Sequence, residues 1–260
     1  MSHYLVWVIG DDPETQLAPY DENLESEKES KGIVPEEEKD RFIAYYNEKH
    51  PEDATLTFDD LYAKWGKDWN GSCWEKVGGE WQEFSTYNDN AKWDWYSLGG
   101  RWSGVFPLKE GSVGVVGEPG VFNNEVPVGW VDRAFLKDID FEAMKAQRLK
   151  GRSEAYDEFM SKYDPNLEKQ MIHPYFDYGI ENIGTKENFM PESKESYLKK
   201  HGSIAPHALV KDGEWYERGT MGWWAIVIDE KDADDWNLQF DLMMKGLPPD
   251  TLISEYDCHI

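Results

Sequence analysis

Apolar residues gather in two short unbroken runs near the ends of the chain, Tyr4-Leu5-Val6-Trp7-Val8-Ile9 and Trp223-Trp224-Ala225-Ile226-Val227-Ile228. The first stops at Gly10-Asp11-Asp12-Pro13 and the second at Asp229-Glu230. Runs this short, rich in β-branched and aromatic residues and closed by turn formers, predict buried strands. From Thr251 to Ile260 the chain instead alternates, Leu252, Ser254, Tyr256 and Cys258 against Ile253, Glu255, Asp257 and His259, which predicts a third strand. Between the last two strands, Asp232 caps a predicted helix that carries Trp236, Phe240 and Met243 on one face and ends at Gly246 before Pro248-Pro249.

Further helices are predicted over 36–49, which opens after Pro35 with acids in its first turn, over 57–65, 140–163 and 193–200. Gly151 is a potential break in the third of these. Strands are predicted at 105–106, 113–116, 128–131 and 208–216, the last folded into a hairpin at Lys211-Asp212-Gly213. Residues 22–34 and 164–192 are polar and weakly periodic, and read as loops. End strands combined with helices predict an α+β fold in a single domain spanning 1–260. The preferred version is a ferredoxin-like sandwich whose N- and C-terminal strands share one sheet as antiparallel neighbours, with a long Trp-rich insertion over 30–135. That pairing brings His3 near His259. The expected core includes Leu5, Trp7, Ile9, Trp224, Ile226, Ile228, Phe240, Met243 and Leu252.

Charge alters this picture. Asp and Glu total 52 against 27 Lys and Arg, a net −25, so a broad basic face for DNA or RNA is excluded as the working surface. The acids are uneven: residues 1–60 hold 17 against 5 bases and 151–260 hold 22 against 11, whereas 61–150 are close to balance. Eight of the 13 tryptophans lie between Trp65 and Trp130, in that near-neutral third, which directs the search for a site there. Cys73 and Cys258 form no disulfide framework and no CxxC metal knuckle. The N-terminus has no leader pattern and no stretch reaches the length of a membrane span, so a soluble, cytoplasmic protein is expected.

Three stretches carry a resemblance: Ser2 to Gly10 continuing to Gln16-Leu17-Ala18-Pro19-Tyr20-Asp21-Glu22-Asn23, the segment Asn90 to Trp102, and the ending Pro249 to Ile260. The chain resembles a family of uncharacterised proteins of tailed phages and bacterial prophages, with the first strand departing from the pattern at Tyr4 and Trp7. The matching stretches cover less than a quarter of the chain. The resemblance implies phage or prophage origin, action in the host cytoplasm, and a counter-defence or host-takeover role. It brings no activity with it.

Two constellations carry potential chemistry. In Lys92 to Trp102, Gly99-Gly100 permits a sharp turn, Arg101 offers a planar fork for an anion, and Trp93, Trp95, Tyr96 and Trp102 offer flat faces. With Asp94 as an acceptor, these eight residues suit a planar, nucleotide-like ligand. The plainer alternative is that the aromatics are core and Arg101 pairs with Asp94. The second constellation, His3, Asp257 and His259, has a donor set suited to zinc, manganese or iron, against the plainer alternative of ordinary end-strand residues. The adjacent acid pairs Asp11-Asp12, Asp59-Asp60 and Asp234-Asp235 sit where acids cap helices or close turns.

No Walker loop, GxGxxG, GxSxG elbow or kinase signature occurs, so no familiar catalytic class and no cofactor is expected. Three readings compete: a binding protein for a small nucleotide-like ligand, an acidic nucleic-acid mimic that blocks a host defence protein, and a metal-dependent hydrolase using the His/Asp set. Direct nucleic-acid binding and membrane association are not expected.

Overall fold

A computed structural model of the chain describes residues 2–66, 72–119, 125–162, 169–170, 184–185, 193–222 and 226–260. In chain order the elements are β1 (His3–Ile9), α1 (Pro13–Leu17), β2 (Glu29–Ile33), α2 (Glu36–Lys49), α3 (Phe58–Trp65), β3 (Ser72–Val77), β4 (Glu80–Ser85), β5 (Trp95–Gly100), β6 (Phe106–Pro107), β7 (Glu118–Pro119), β8 (Trp130–Val131) and β9 (Arg133–Phe135). There follow α4 (Phe141–Lys162), β10 (Lys169–Gln170), β11 (Gly184–Thr185), α5 (Lys194–His201), β12 (Ala208–Lys211), β13 (Glu214–Glu217), β14 (Thr220–Met221), β15 (Val227–Ile228), α6 (Ala233–Met244) and β16 (Leu252–His259).

The chain divides into two units, one formed by Ala18–Asp94 and the other by the segments before and after it. The inserted unit therefore starts and ends earlier than the expected 30–135, and residues 95–135 of that range belong to the larger unit.

The larger unit is built on a seven-stranded sheet in the order β13-β12-β1-β16-β5-β7, with β9 also pairing with β16. The α+β class is as the sequence indicates, and the first and last strands are antiparallel neighbours from His3↔His259 to Ile9↔Ile253. On its other side β1 pairs in parallel with β12, whose Ala208, Leu209 and Val210 are fully buried. The antiparallel β1–β16 pair is one a ferredoxin-like sheet would contain, but the parallel β1–β12 pair is not, because that sheet is antiparallel throughout. Seven strands, and a hairpin partner β13 that follows β12, go beyond that four-stranded plan.

The second apolar run does not take the place expected of it. Val227 and Ile228 pair with Thr220 and Met221 in a separate two-stranded ribbon, and Ile226 and Ile228 are 61% and 54% exposed. The shorter run at β12 occupies the sheet position instead, delivered into a hairpin by Asp212 (φ 55°) and Gly213 (φ 79°), the two left-handed residues of a type I′ turn. The expected core residue Trp224 lies outside the described residues. The expected strand at 113–116 is reduced to a single bridge between Val115 and Arg133, with Val113, Val115 and Val116 exposed.

One face of the sheet carries Trp7, Ile9, Leu209 and Ile253, packed with Phe106, Ile139, Met144, Trp236 and Phe240. Trp7 sits edge-on to Phe106 at 4.9 Å and to Phe240 at 5.5 Å. Each phenylalanine so buried contributes about 2–3 kcal/mol. The helix carrying Phe240 begins where Asp232 accepts the Asp234 N–H at 2.8 Å, and α5 begins at a Ser193 cap. The helix α4 runs through Gly151 without a break. On the opposite face Arg133 Nε donates to Ser254 Oγ at 2.8 Å, and the Tyr256 hydroxyl donates to Glu14 Oε1 at 2.7 Å, tying β16 to α1.

The smaller unit packs α2 and α3 with the antiparallel sheet β2-β4-β3. Thr57 and Asp60 form a capping box at the start of α3. Among its rings are Phe42, Phe58, Tyr62, Trp74 and Trp81, with Tyr62 stacked on Trp74 at 5.5 Å. Leu61 is its fully buried aliphatic residue in α3. Among the described residues, no helix is long and apolar enough to cross a membrane.

Candidate ligand-binding site

The Gly99-Gly100 pair ends β5 with φ values of +83° and +58°, conformations that favour glycine. Space requires glycine as well. A Cβ on Gly99 would lie 2.6 Å from Asp132 Oδ2, and a Cβ on Gly100 would overlap the Asp257 side chain. These glycines let the backbone close over two buried carboxylates. Asp132, fully buried, accepts from Ser103 Oγ at 2.9 Å, from the Gly117 N–H at 2.7 Å and from the Gly104 N–H. Asp257, 2% exposed, accepts the Arg101 N–H on Oδ2 at 3.0 Å and meets His3 Nδ1 with Oδ1 at 2.8 Å. The two carboxylates clamp the loop after β5 and hold Trp102, Gly104 and Val105 in place.

A third carboxyl shares this region. Glu255 is fully buried opposite Trp7, and neither of its carboxyl oxygens has a hydrogen-bond partner. Burial pushes its pKa well above the ordinary carboxylate value, with the neighbouring Asp132 and Asp257 charges adding to the effect. The neutral acid is the form this environment favours.

Beside the clamped loop lies a cavity of about 600 Å³, within the range of small-molecule sites. Its wall includes His3 and Leu5 of β1, Trp102 and Val105 of the loop, and Trp130 and Trp236. Arg148 and Arg152, one turn apart on α4, reach it from the same helix face, and Lys200 and His201 reach it from the end of α5. His207 and Arg218 also line it, and Arg218 pairs with Glu230 at 2.7 Å. No Asp or Glu occurs among the described residues lining it, although the whole chain carries −25. His207 Nε2 and Arg218 Nε are buried without a hydrogen-bond partner, and burial lowers the His207 pKa. Tyr4 meets the His207 ring edge-on at 5.3 Å.

The residues expected to form one Trp/Asp/Arg pocket are dispersed. Trp93, 6% exposed, and Asp94 belong to the smaller unit, where the Trp93 carbonyl accepts the Glu22 N–H at 2.8 Å and the Asp94 carbonyl accepts from Asn23 Nδ2 at 3.3 Å. Trp95 and Tyr96 are consecutive on β5 and so point to opposite faces. Trp95 stacks on His259 at 5.0 Å, and Tyr96 meets Tyr256 edge-on at 5.2 Å. Gly99, Gly100 and the Arg101 backbone shape the loop. Of the eight residues, Trp102 alone is among those lining the cavity.

The second constellation does come together. His3 pairs across from His259 with ring centroids 4.8 Å apart, and Asp257 bonds His3. It does not make a metal centre: both Asp257 oxygens are engaged, one by His3 and one by Arg101, and His259 is stacked on Trp95. Among the described residues, no group of three or more His, Cys, Asp or Glu is arranged to hold a metal ion.

The cationic wall was missed because its members are scattered along the sequence. A readable signal was present in Lys145, Arg148, Lys150 and Arg152, a basic patch on a predicted helix within an acidic chain. No protein-family model, no curated protein and no solved structure matches the chain. The functional reading therefore rests on the site.

Proposed function

We propose that the protein binds a small anionic ligand with a flat ring, nucleotide-like in chemistry, in the cavity of the larger unit. One observation carries this reading: Arg148, Arg152, Lys200 and Arg218, the last also paired with Glu230, line one cavity with no carboxylate among its described lining residues, in a chain of net charge −25. Arginine and lysine side chains converging on one concave space supply several donors for the oxygens of a single anion. Trp102 and Trp130 add faces for a ring. With the phage resemblance, the reading becomes a counter-defence or host-takeover protein that sequesters a host signalling nucleotide in the host cytoplasm.

The acidic-mimic reading has weaker support. Many exposed acids serve local needs: Glu37 and Glu38 pair with Arg41, Asp59 with Lys76, and Asp60 and Asp232 cap helices. The deciding experiment is isothermal titration calorimetry with nucleotides, the matching nucleosides and orthophosphate. Micromolar binding of a nucleotide, weakened by salt and lost for the nucleoside, is expected. Absence of binding by all three classes would remove the proposal.

A further inference from the structure

His3 belongs to two arrangements at once. It lines the cavity, and its Nδ1 meets the carboxylate of Asp257 at 2.8 Å. The second Asp257 oxygen takes the Arg101 N–H at 3.0 Å, so the carboxylate is held from both sides. A carboxylate so placed keeps the imidazole N–H on Nδ1 and leaves the lone pair on Nε2. The ring is fixed further by edge contacts to Trp95 at 5.3 Å and to His259 at 4.8 Å, while the side chain stays 13% exposed. An oriented base thus shares a wall with Arg148, Arg152 and Lys200, cations suited to charge developing on phosphoryl oxygens.

Resting on the cavity reading above, we infer that His3 is the general base for hydrolysis of a phosphoester in the bound ligand, with Asp257 as its positioning residue. Water is the nucleophile. Its oxygen forms a bond to phosphorus as His3 Nε2 takes its proton, and the bond from phosphorus to the leaving oxygen breaks with the electron pair going to that oxygen. The imidazolium then returns the proton to the leaving oxygen, so His3 ends neutral.

The test uses the full chain with nucleoside triphosphates, 2′,3′- and 3′,5′-cyclic nucleoside monophosphates and dinucleotides, following products by ³¹P NMR and binding by calorimetry. His3→Asn is the informative variant, because its amide can still donate to Asp257 but has no basic nitrogen. The expected result is conversion of at least one nucleotide by the wild type, with His3→Asn binding it within about threefold of wild-type affinity and converting it about 100-fold more slowly. For Asp257→Asn, kcat falls and KM does not rise; a lower melting temperature with unchanged kcat would overturn the positioning role. A nucleotide that binds but keeps its ³¹P spectrum, or is converted equally fast by His3→Asn, would overturn the catalytic inference and leave the binding reading standing. Failure of every nucleotide to bind would overturn both.

Discussion

Gly100 lies against the side chain of Asp257, so closely that a Cβ at that position would overlap the aspartate's own Cβ. The contact explains a dense sequence motif by the loop it permits. Gly100→Ala combines a left-handed backbone at φ +58° with a clash against a buried side chain. The two effects together are expected to cost about 2–4 kcal/mol. Gly111→Ala is the control, since Gly111 has φ +79° but nothing within 4 Å of an added Cβ, and should lose only about 1 kcal/mol. Urea denaturation of both variants checks the difference, and equal losses would show that the Asp257 contact is unimportant.

Glu255 gives the stability curve a pH dependence of predictable sign. Its folded pKa is raised, so between the unfolded value near 4.5 and the higher folded value the native state holds a proton that the unfolded state has released. Its contribution is therefore greatest at or below the unfolded value and declines as pH rises, by up to about 1.4 kcal/mol per pH unit within that window. Glu255→Gln removes this titration. The variant is expected to gain stability relative to wild type as pH rises from 4 to 8, measured by urea denaturation across that range. A constant difference would mean that Glu255 does not titrate between the two states.

On the opposite face of the sheet, the Tyr256 hydroxyl donates to Glu14 at 2.7 Å and accepts from Arg133 at 2.5 Å. Tyr256→Phe leaves the Arg133–Glu14 pair in place and removes one buried hydroxyl. A loss of about 1–2 kcal/mol is expected, with nucleotide affinity unchanged because Tyr256 is not among the residues lining the cavity. Thermal melting beside calorimetry separates these outcomes; weaker binding would mean that the two faces of the sheet are coupled.

What the sequence disclosed follows from how local each signal is. The alternation Leu252 to His259 and the run Tyr4 to Ile9 each mark a strand within a few residues, and their antiparallel pairing brings His3 to His259 as topology suggested. The cap read at Asp232 is equally local, and the helices expected over 57–65 and 193–200 form as α3 and α5. The run ending in Ile228 misled because apolar content does not say which strand wins a place beside β1, and β12 wins it with three fully buried side chains. The cavity needed long-range information: Arg148, Lys200 and Arg218 are far apart in sequence and converge only through packing. The Trp-rich motif read as one group is distributed by the fold, since strand alternation separates Trp95 from Tyr96, the unit boundary separates Asp94 from Trp95, and Trp102 alone of the eight lines the cavity.

The cationic wall provides the sharpest test of binding. Arg148 and Arg152 occupy one face of α4, and both line the cavity with Lys200. Replacing both by Gln keeps length and hydrogen-bonding ability while removing two positive charges, so the helix itself should persist. If the cavity holds an anion, the double variant should bind the nucleotide at least tenfold more weakly and show a shallower dependence of affinity on salt. The size of the stability change is informative too. Because Gln keeps the helix propensity and a polar end group, the variant without ligand should melt within a few degrees of wild type. Adding nucleotide should raise the wild-type melting temperature and barely move that of the variant, because stabilisation by a ligand follows its concentration relative to Kd. A variant that melts lower without ligand but binds as wild type would identify Arg148 and Arg152 as structural ion-pair partners, and the anion-binding proposal would then lose the observation that carries it.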